Sequence, residues 1–302
     1  MKAAIFKQAG QPLEIEEITL SNPGHNEVLV EVAATGLCHT DLHFMDGHLP
    51  VPAPAVLGHE TAGIVRAVGA GVSYLQPGDH VIGCLSAFCG SCHQCLSGHP
   101  SICEDQASIN REDKEEPRLM QAGSSVQQFM NLSAFADHML VHEHALAKID
   151  KAMPLDKAAL IGCGVTTGIG AVMRTAKVEL GSSVVVIGCG AVGLNAVQGA
   201  RMAGALNIIA IDINADRLAM AKKFGATHVI NSKTASPVDQ VMQITLGKGA
   251  EYAFEAVGSP QLARDAFMML RKNGTLVLIG LMSQDAEVSL PFMQFIAERR
   301  VM

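Results

Sequence analysis

The stretch "SSVVVIGCGAVGLNAVQGA", residues 182–200, decides the architecture. It carries no charge over nearly the length of a membrane span. Its order argues against one. A β-branched run comes first, Gly188, Gly190 and Gly193 follow, and a helix-forming pattern with Asn195 and Gln198 closes it. Strand, turn and helix is the better reading. In such a turn the first glycine permits the tight bend, the second lets a pyrophosphate approach the backbone, and the third lets helix pack on strand. The helix then offers free N–H groups and the positive end of its dipole to the phosphates. Asp212 closes the next apolar run, "NIIAID", about 20 residues further on. A carboxylate there accepts from both ribose hydroxyls and repels a 2′-phosphate, so NAD is expected over NADP. Arg217, on the following helix, is expected to flank the adenosine ribose.

Outward from this motif the pattern repeats. "ADRLAMAKKFG", "PVDQVMQITLG" and "PQLARDAFMMLRKNG" read as helices, and "HVIN", "EYAFEAVG" and "TLVLIGL" as strands between and after them. The strands are continuous apolar runs, which predicts a parallel sheet covered on both faces. Upstream the chain changes character. "EVLVEVAATG", "ETAGIVRAVGAGV", "QPGDHVIG" and "FADHMLVHEHALAKI" read as strands bounded by Gly and Pro, and "SINREDKEEPR" as a solvated charged loop. A β-rich domain is therefore expected up to about Asp150.

With 302 residues, 49% of them hydrophobic, the chain can build about two domains without disulfides. The net charge of -7 argues against a nucleic-acid partner. The start, "MKAAIFKQAGQPLEIEE", lacks the apolar core of a signal peptide, so a cytoplasmic location is the default. Thiols stay reduced there, and metal or catalytic roles outrank disulfides.

Four cysteines, Cys89, Cys92, Cys95 and Cys103, fall in "FCGSCHQCLSGHPSIC". Four thiolates close a tetrahedral site and fit a structural zinc. A ferredoxin-type run would place its fourth cysteine sooner and follow it with proline, whereas Glu104 stands here. "GLCHTDLH", "GHETAGIVRAVGAGV" and "ALIGCGVTTG" add Cys38, His59, Glu60 and Cys163. Each of these alone reads as well as a buried cysteine or a satisfied histidine, and spacing does not join them.

Over nearly its whole length the chain resembles the zinc-dependent medium-chain alcohol dehydrogenases. Gly58, His59, Glu60, Gly63, Gly69 and Val72 match the family's zinc signature, the four-cysteine stretch its structural zinc lobe, and "GCGAVG" with Asp212 its NAD site. The resemblance implies an α/β protein, with a GroES-like β-rich catalytic domain over residues 1–164 and a Rossmann doubly wound parallel sheet over 165–302. The active site would lie in the cleft between them. It implies two zinc ions per chain, one structural and one catalytic, the latter held by Cys38, His59 and Cys163. Alcohol dehydrogenase is itself the standard example of that Cys₂His set, so the family supplies it and the spacing does not. By the same resemblance Thr40 and His43 relay the alcohol proton, Glu60 approaches the zinc during ligand exchange, and Asp41 orients the His59 ring. His39 and Thr167 contact the cofactor, and Leu49 and Leu85 line the substrate pocket. Cys84 and Cys189 match no ligand position, and Cys189, within the glycine turn, reads as oxidation-sensitive.

The reaction implied is reversible NAD-linked oxidation of a primary aliphatic or aromatic alcohol. A glutathione-type thiol adduct of formaldehyde is the alternative substrate, and an NAD- and zinc-binding protein without turnover is a further alternative. Partners are a small alcohol or aldehyde and a family-typical homo-oligomer, with neither nucleic acid nor membrane. Relatives continue well beyond "AERRVM". The expectation is that Arg299–Met302 only begins a sixth strand, and that NAD binding, solubility, dimerisation and turnover suffer for it.

Overall fold

A computed structural model describes residues 1–112 and 114–302, in two units, Met1–Cys163 and Gly164–Met302. In the first unit, β1 (Glu27–Thr35), β2 (Thr61–Val68), β3 (His80–Gly83), β4 (His138–His142) and β5 (Leu146–Ile149) form one antiparallel sheet. Its order is β4-β1-β2-β3-β5. Alternate residues point inward, so Val28, Val30, Val65, Val81, Met139 and Val141 share one core. A smaller four-stranded sheet is built on Lys2–Phe6, with Ala3, Ile5 and Val56 buried beneath it. The helix α1 (His39–Met45) follows β1 directly.

The "FADHMLVHEHALAKI" run is not one strand. It is β4 and β5 joined by the 3₁₀ turn Glu143–Ala145, where the His142 ring accepts the His144 N–H at 3.1 Å. These strands occupy opposite edges of the sheet, so the sheet curls until its edges meet at this turn. The "SINREDKEEPR" loop is not wholly solvated either. Glu27 is buried at the head of β1, and a buried carboxylate needs charged partners. Arg118 turns inward to it at 2.6 Å and Arg111 at 2.5 Å. Asp113 of that loop lies outside the described residues.

The second unit holds six parallel strands: β6 (Ser183–Ile187), β7 (Asn207–Asp212), β8 (His228–Asn231), β9 (Ala250–Glu255), β10 (Leu270–Leu278) and β11 (Arg300–Val301). The order is β8-β7-β6-β9-β10-β11, the doubly wound arrangement. Successive residues of β6 enter separate cores. Val184 and Val186 pack on one face of the sheet, Val185 and Ile187 on the other, which is why the run is apolar throughout. The helices α2 (Thr166–Gly170), α3 (Ala191–Met202), α4 (Ala215–Phe224), α5 (Pro237–Ile244) and α6 (Pro260–Met268) accompany the sheet. The stretch read as one helix, "PQLARDAFMMLRKNG", ends at Met268, and β10 begins at Leu270. Pairing wins over helix propensity there, because Ala250 bonds the Met269 carbonyl and sits opposite Leu270.

Residues 182–200 are thus β6, its turn and α3. A different helical run, Leu155–Thr175, is long and apolar enough to cross a membrane on length and composition alone. It is interrupted by π-type turns at Ile161–Val165 and Ala171–Thr175.

Candidate active site

One end of the first unit's sheet gathers the scattered ligands. Thr35, Thr61 and Gly83 pair across β1, β2 and β3. Just beyond this row the chain places Cys38 after β1 and His59–Glu60 before β2. The Glu60 carbonyl accepts from the Thr35 hydroxyl and the Gly36 N–H, both at 2.8 Å, which fixes the two segments together. Gly162 packs against the Gly83 carbonyl so closely that no Cβ would fit, and this brings Cys163 to the same end. The ligand atoms of Cys38, His59, Glu60 and Cys163 lie within 4.8 Å of one another. Cys163 stands in a π-type turn, a distortion frequent at functional sites.

Asp41 fixes the imidazole. One carboxylate oxygen accepts from His59 Nδ1 at 3.0 Å and from the Gly58 N–H at 3.3 Å. The other accepts the Cys38 N–H at 3.2 Å. With Nδ1 engaged by Asp41, Nε2 is the nitrogen left to face Cys38 and, on loss of its proton, to hold a metal ion. Phe129 packs edge-on to the His59 ring at 6.2 Å and to Phe44 at 4.8 Å, walling one side in apolar surface.

The electrostatics show crowded negative charge. A hydrogen bond from Cys163 pulls the Cys38 thiol down to about 3 against the cost of burial, helped by His59 and Thr40. Burial opposes the charge on His59, but bonds to Asp41 and Cys38 outweigh it and hold the imidazole up to about 10. Cys163 is pushed well above the usual thiol range by Cys38 and by burial. Glu60 is raised by burial and then by the Cys38 charge. Two thiols and a carboxyl packed this closely cannot all ionise on their own. A divalent cation would balance them.

The second cluster is local. Sulfur separations are 3.9 Å for Cys89–Cys95, 3.4 Å for Cys92–Cys95 and 3.9 Å for Cys92–Cys103. A tetrahedron with metal–sulfur bonds near 2.3 Å has edges of about 3.8 Å, whereas a disulfide would need about 2 Å. The backbone N–H and hydroxyl of Ser91, and the Cys92 N–H, point at the Cys89 sulfur and hold its thiol down to about 6.

In the second unit, Gly188 adopts a φ of 92°, which only glycine tolerates easily. Gly190 caps α3. Gly193 lies against the Gly188 carbonyl, where a Cβ would overlap it. Asp212, buried at the end of β7, accepts from the Cys189 and Asn214 N–H groups, both at 2.8 Å. Arg217 is exposed on α4, and Thr167 is exposed on α2, whose Gly168 contacts α3.

Two family models match, one described as alcohol dehydrogenase GroES-like domain over residues 24–151 and one as zinc-binding dehydrogenase over residues 191–302. The S-(hydroxymethyl)glutathione dehydrogenase of Paracoccus denitrificans is 40% identical over 311 residues, covering 99% of this chain and 83% of that protein. The chain belongs to the zinc-dependent medium-chain alcohol dehydrogenases. Among solved structures, the alcohol dehydrogenase zinc-binding domain protein from Burkholderia ambifaria matches with a TM-score of 0.94 at 40% identity, over 99% of this chain and 82% of that one. The benzyl alcohol dehydrogenase from Acinetobacter calcoaceticus matches with 0.93 at 37% identity, with the same coverage of 99% and 82%.

Zinc and NAD come to this alcohol dehydrogenase with its family, and its residues fit both. The four-thiol edge lengths suit zinc, the charge-crowded cluster suits a divalent cation, and the cramped Gly188–Gly193 turn leaves backbone rather than side chain facing a pyrophosphate.

The remaining sequence candidates are distributed as follows. Thr40 lies in α1, with its backbone N–H and its hydroxyl both reaching the Cys38 sulfur. His43 is half-buried on the same helix, and His39 is exposed one turn earlier. Leu49 is half-buried beside His43, its N–H on the His43 carbonyl at 3.2 Å. Leu85 packs on the core of the first unit, with its carbonyl accepting from Asn131. Cys189 is buried, and burial first and Asp212 next push its thiol up to about 12, which works against the oxidation expected of it. Sequence reasoning missed Phe129 and His48. Phe129 lies in a segment without periodicity, and His48 matched no motif.

Proposed function

We propose that this protein catalyses NAD-linked oxidation of a hydroxymethyl group to a formyl group, an aldehyde from a primary alcohol or a thioester from a thiol adduct, with residues 1–164 as the catalytic domain and 165–302 as the NAD domain. The observation that carries the reading is the Cys38–His59–Glu60–Cys163 cluster, three acidic donors and one oriented imidazole within 4.8 Å. Cys38, His59 and Cys163 would hold the catalytic zinc, and Cys89, Cys92, Cys95 and Cys103 the structural one. Zinc there supplies Lewis acidity toward the alcohol oxygen, and NAD supplies the hydride acceptor.

The protein's own groups do the rest. Asp41 keeps the His59 proton on Nδ1 and so aims Nε2. Glu60 stands close enough to the three ligands that its carboxyl would be on hand for a metal ion held there when another ligand leaves. Thr40 takes the substrate hydroxyl proton and passes it on, and His43 releases it to solvent. Phe129 and Phe44 exclude water from behind the imidazole. Gly188, Gly190 and Gly193 present the start of α3 to the cofactor pyrophosphate, and Asp212 reads the ribose, with Arg217, His39 and Thr167 contributing contacts.

The substrate we favour is a glutathione-type S-hydroxymethyl adduct, because a curated relative that covers the chain almost end to end carries that name. A primary aliphatic or aromatic alcohol is the second reading. It is supported by the apolar Leu49 and Leu85 and by the benzyl alcohol dehydrogenase relative. A cytoplasmic homo-oligomer is the assembly that goes with either.

NADH formation measured with formaldehyde plus glutathione, benzyl alcohol and straight-chain alcohols separates the readings. A kcat/KM for the glutathione adduct well above the others is expected. Benzyl alcohol outrunning the adduct would favour the second reading, and no turnover on any of them, with both zinc ions bound, would overturn the proposal. Cys38→Ser should abolish turnover and remove one zinc. Cys95→Ser should instead damage folding.

A further inference from the structure

Three imidazoles meet at the surface beside α1. His39 and His43 are four residues apart on the helix, with ring centroids at 5.6 Å and planes at 64°. His48 comes back from the loop beyond the helix and places its ring edge-on to His43, also at 5.6 Å and 64°. The Leu49 N–H on the His43 carbonyl at 3.2 Å ties this loop to the helix, so the His48 approach is set by backbone. His39 and His48 are exposed and His43 is half-buried, so solutes reach all three.

The informative distance is His43 Nδ1 to His48 Nδ1, 3.5 Å. That is long for a hydrogen bond between ring nitrogens. It is close to the separation of two imidazole nitrogens on one tetrahedral ion, about 3.3 Å for bonds near 2.0 Å. Two imidazole nitrogens, with open water for the remaining positions, form a donor set for zinc, nickel or copper rather than for magnesium or calcium.

We propose that His43 and His48, with water in the remaining positions, form a two-imidazole surface site for a divalent transition-metal ion, distinct from the two sulfur-containing clusters. An ion there engages the His43 lone pair. If His43 is the exit base of the relay, a consequence that rests on the function proposed above, occupancy also slows turnover. Zinc in excess of the two resident ions would then act as a reversible inhibitor.

The test uses the zinc-loaded enzyme, with zinc itself as probe. Equilibrium dialysis at micromolar free zinc should show a third equivalent, and turnover should fall as it binds. His48→Ala should weaken the third binding event roughly tenfold or more while both resident ions and basal turnover stay as in the wild type. His39→Ala, which removes a ring outside the pair, should leave the third binding event unchanged. Wild-type protein that stops at two ions would overturn the site, as would a third equivalent that His48→Ala leaves untouched. A third ion that binds through His48 without slowing turnover would support the site and refute His43 as the exit base. Binding is read without activity, so the two failures are separable.

Discussion

Asp41→Asn tests how the catalytic cluster is aimed. The wild-type carboxylate accepts three N–H groups: His59 Nδ1 at 3.0 Å, Gly58 at 3.3 Å and Cys38 at 3.2 Å. An amide has one acceptor atom. If its oxygen faces His59 and Gly58, its NH₂ confronts the Cys38 N–H, and if it flips, two donors are orphaned instead. At least one bond is lost and the others lose their charge. Hydrogen bonds to charged groups contribute about 1.5–3 kcal/mol. A loss of that size corresponds to roughly 10–100-fold weaker metal binding, the range typical of removing such a carboxylate–histidine contact. Zinc competition with a chromophoric chelator measures it, and the four-thiol site serves as internal standard. The expected result is one loosened ion, one unchanged ion and a parallel fall in kcat/KM. A catalytic-site affinity within about twofold of wild type would refute the reasoning, as would equal loosening of both ions.

Gly193→Ala should abolish dinucleotide binding and destabilise the second unit, because its Cβ would overlap the Gly188 carbonyl. Calorimetry with NAD checks the first effect. Glu27→Ala strands two arginines, one of them 8% exposed, and should cost about 3–5 kcal/mol in the first unit. The chain has no Trp and two Tyr, so Tyr74 emission in a Tyr252→Phe background reports that unit alone during urea unfolding. His142 is buried, and burial, then the neighbouring His144 and Arg118 charges, lower its imidazole to about 4. The unfolded chain binds this proton below its ordinary value near 6.5 while the folded chain does not, so stability falls as pH drops from about 6.5 to 4, by on the order of 3 kcal/mol. His142→Gln should flatten that part of the stability–pH curve, and an unchanged slope would show that another group is responsible.

Legibility in the sequence followed the range of the interactions. The glycine turn, Asp212 and the four-thiol stretch are local patterns, and they are placed where their spacing suggests. Cys38, His59 and Cys163 are joined only by the Thr35–Thr61–Gly83 row and by the packing of Gly162. No periodicity encodes such a row, and only family resemblance united them beforehand. Glu27 with Arg118 was invisible for the same reason, since its partners are 91 residues apart and a single charged residue in a polar loop gives no signal. The end of α6 was misread because the sequence past Met268 remains compatible with helix, and the pairing of Ala250 with Leu270 decides otherwise.

The two thiol clusters also differ in when the growing polypeptide can complete them. All four sulfurs of the outer lobe lie between Cys89 and Cys103, so its donors are present once that short stretch has left the ribosome. The other cluster spans Cys38 to Cys163 and stays open until the last residue of the first unit has been made. Short loops close in well under a microsecond, while synthesis adds only about 5–20 residues each second. Several seconds therefore separate the two during translation. The lobe can capture its ion first, and Cys38 and His59 emerge before the third donor exists to complete their set.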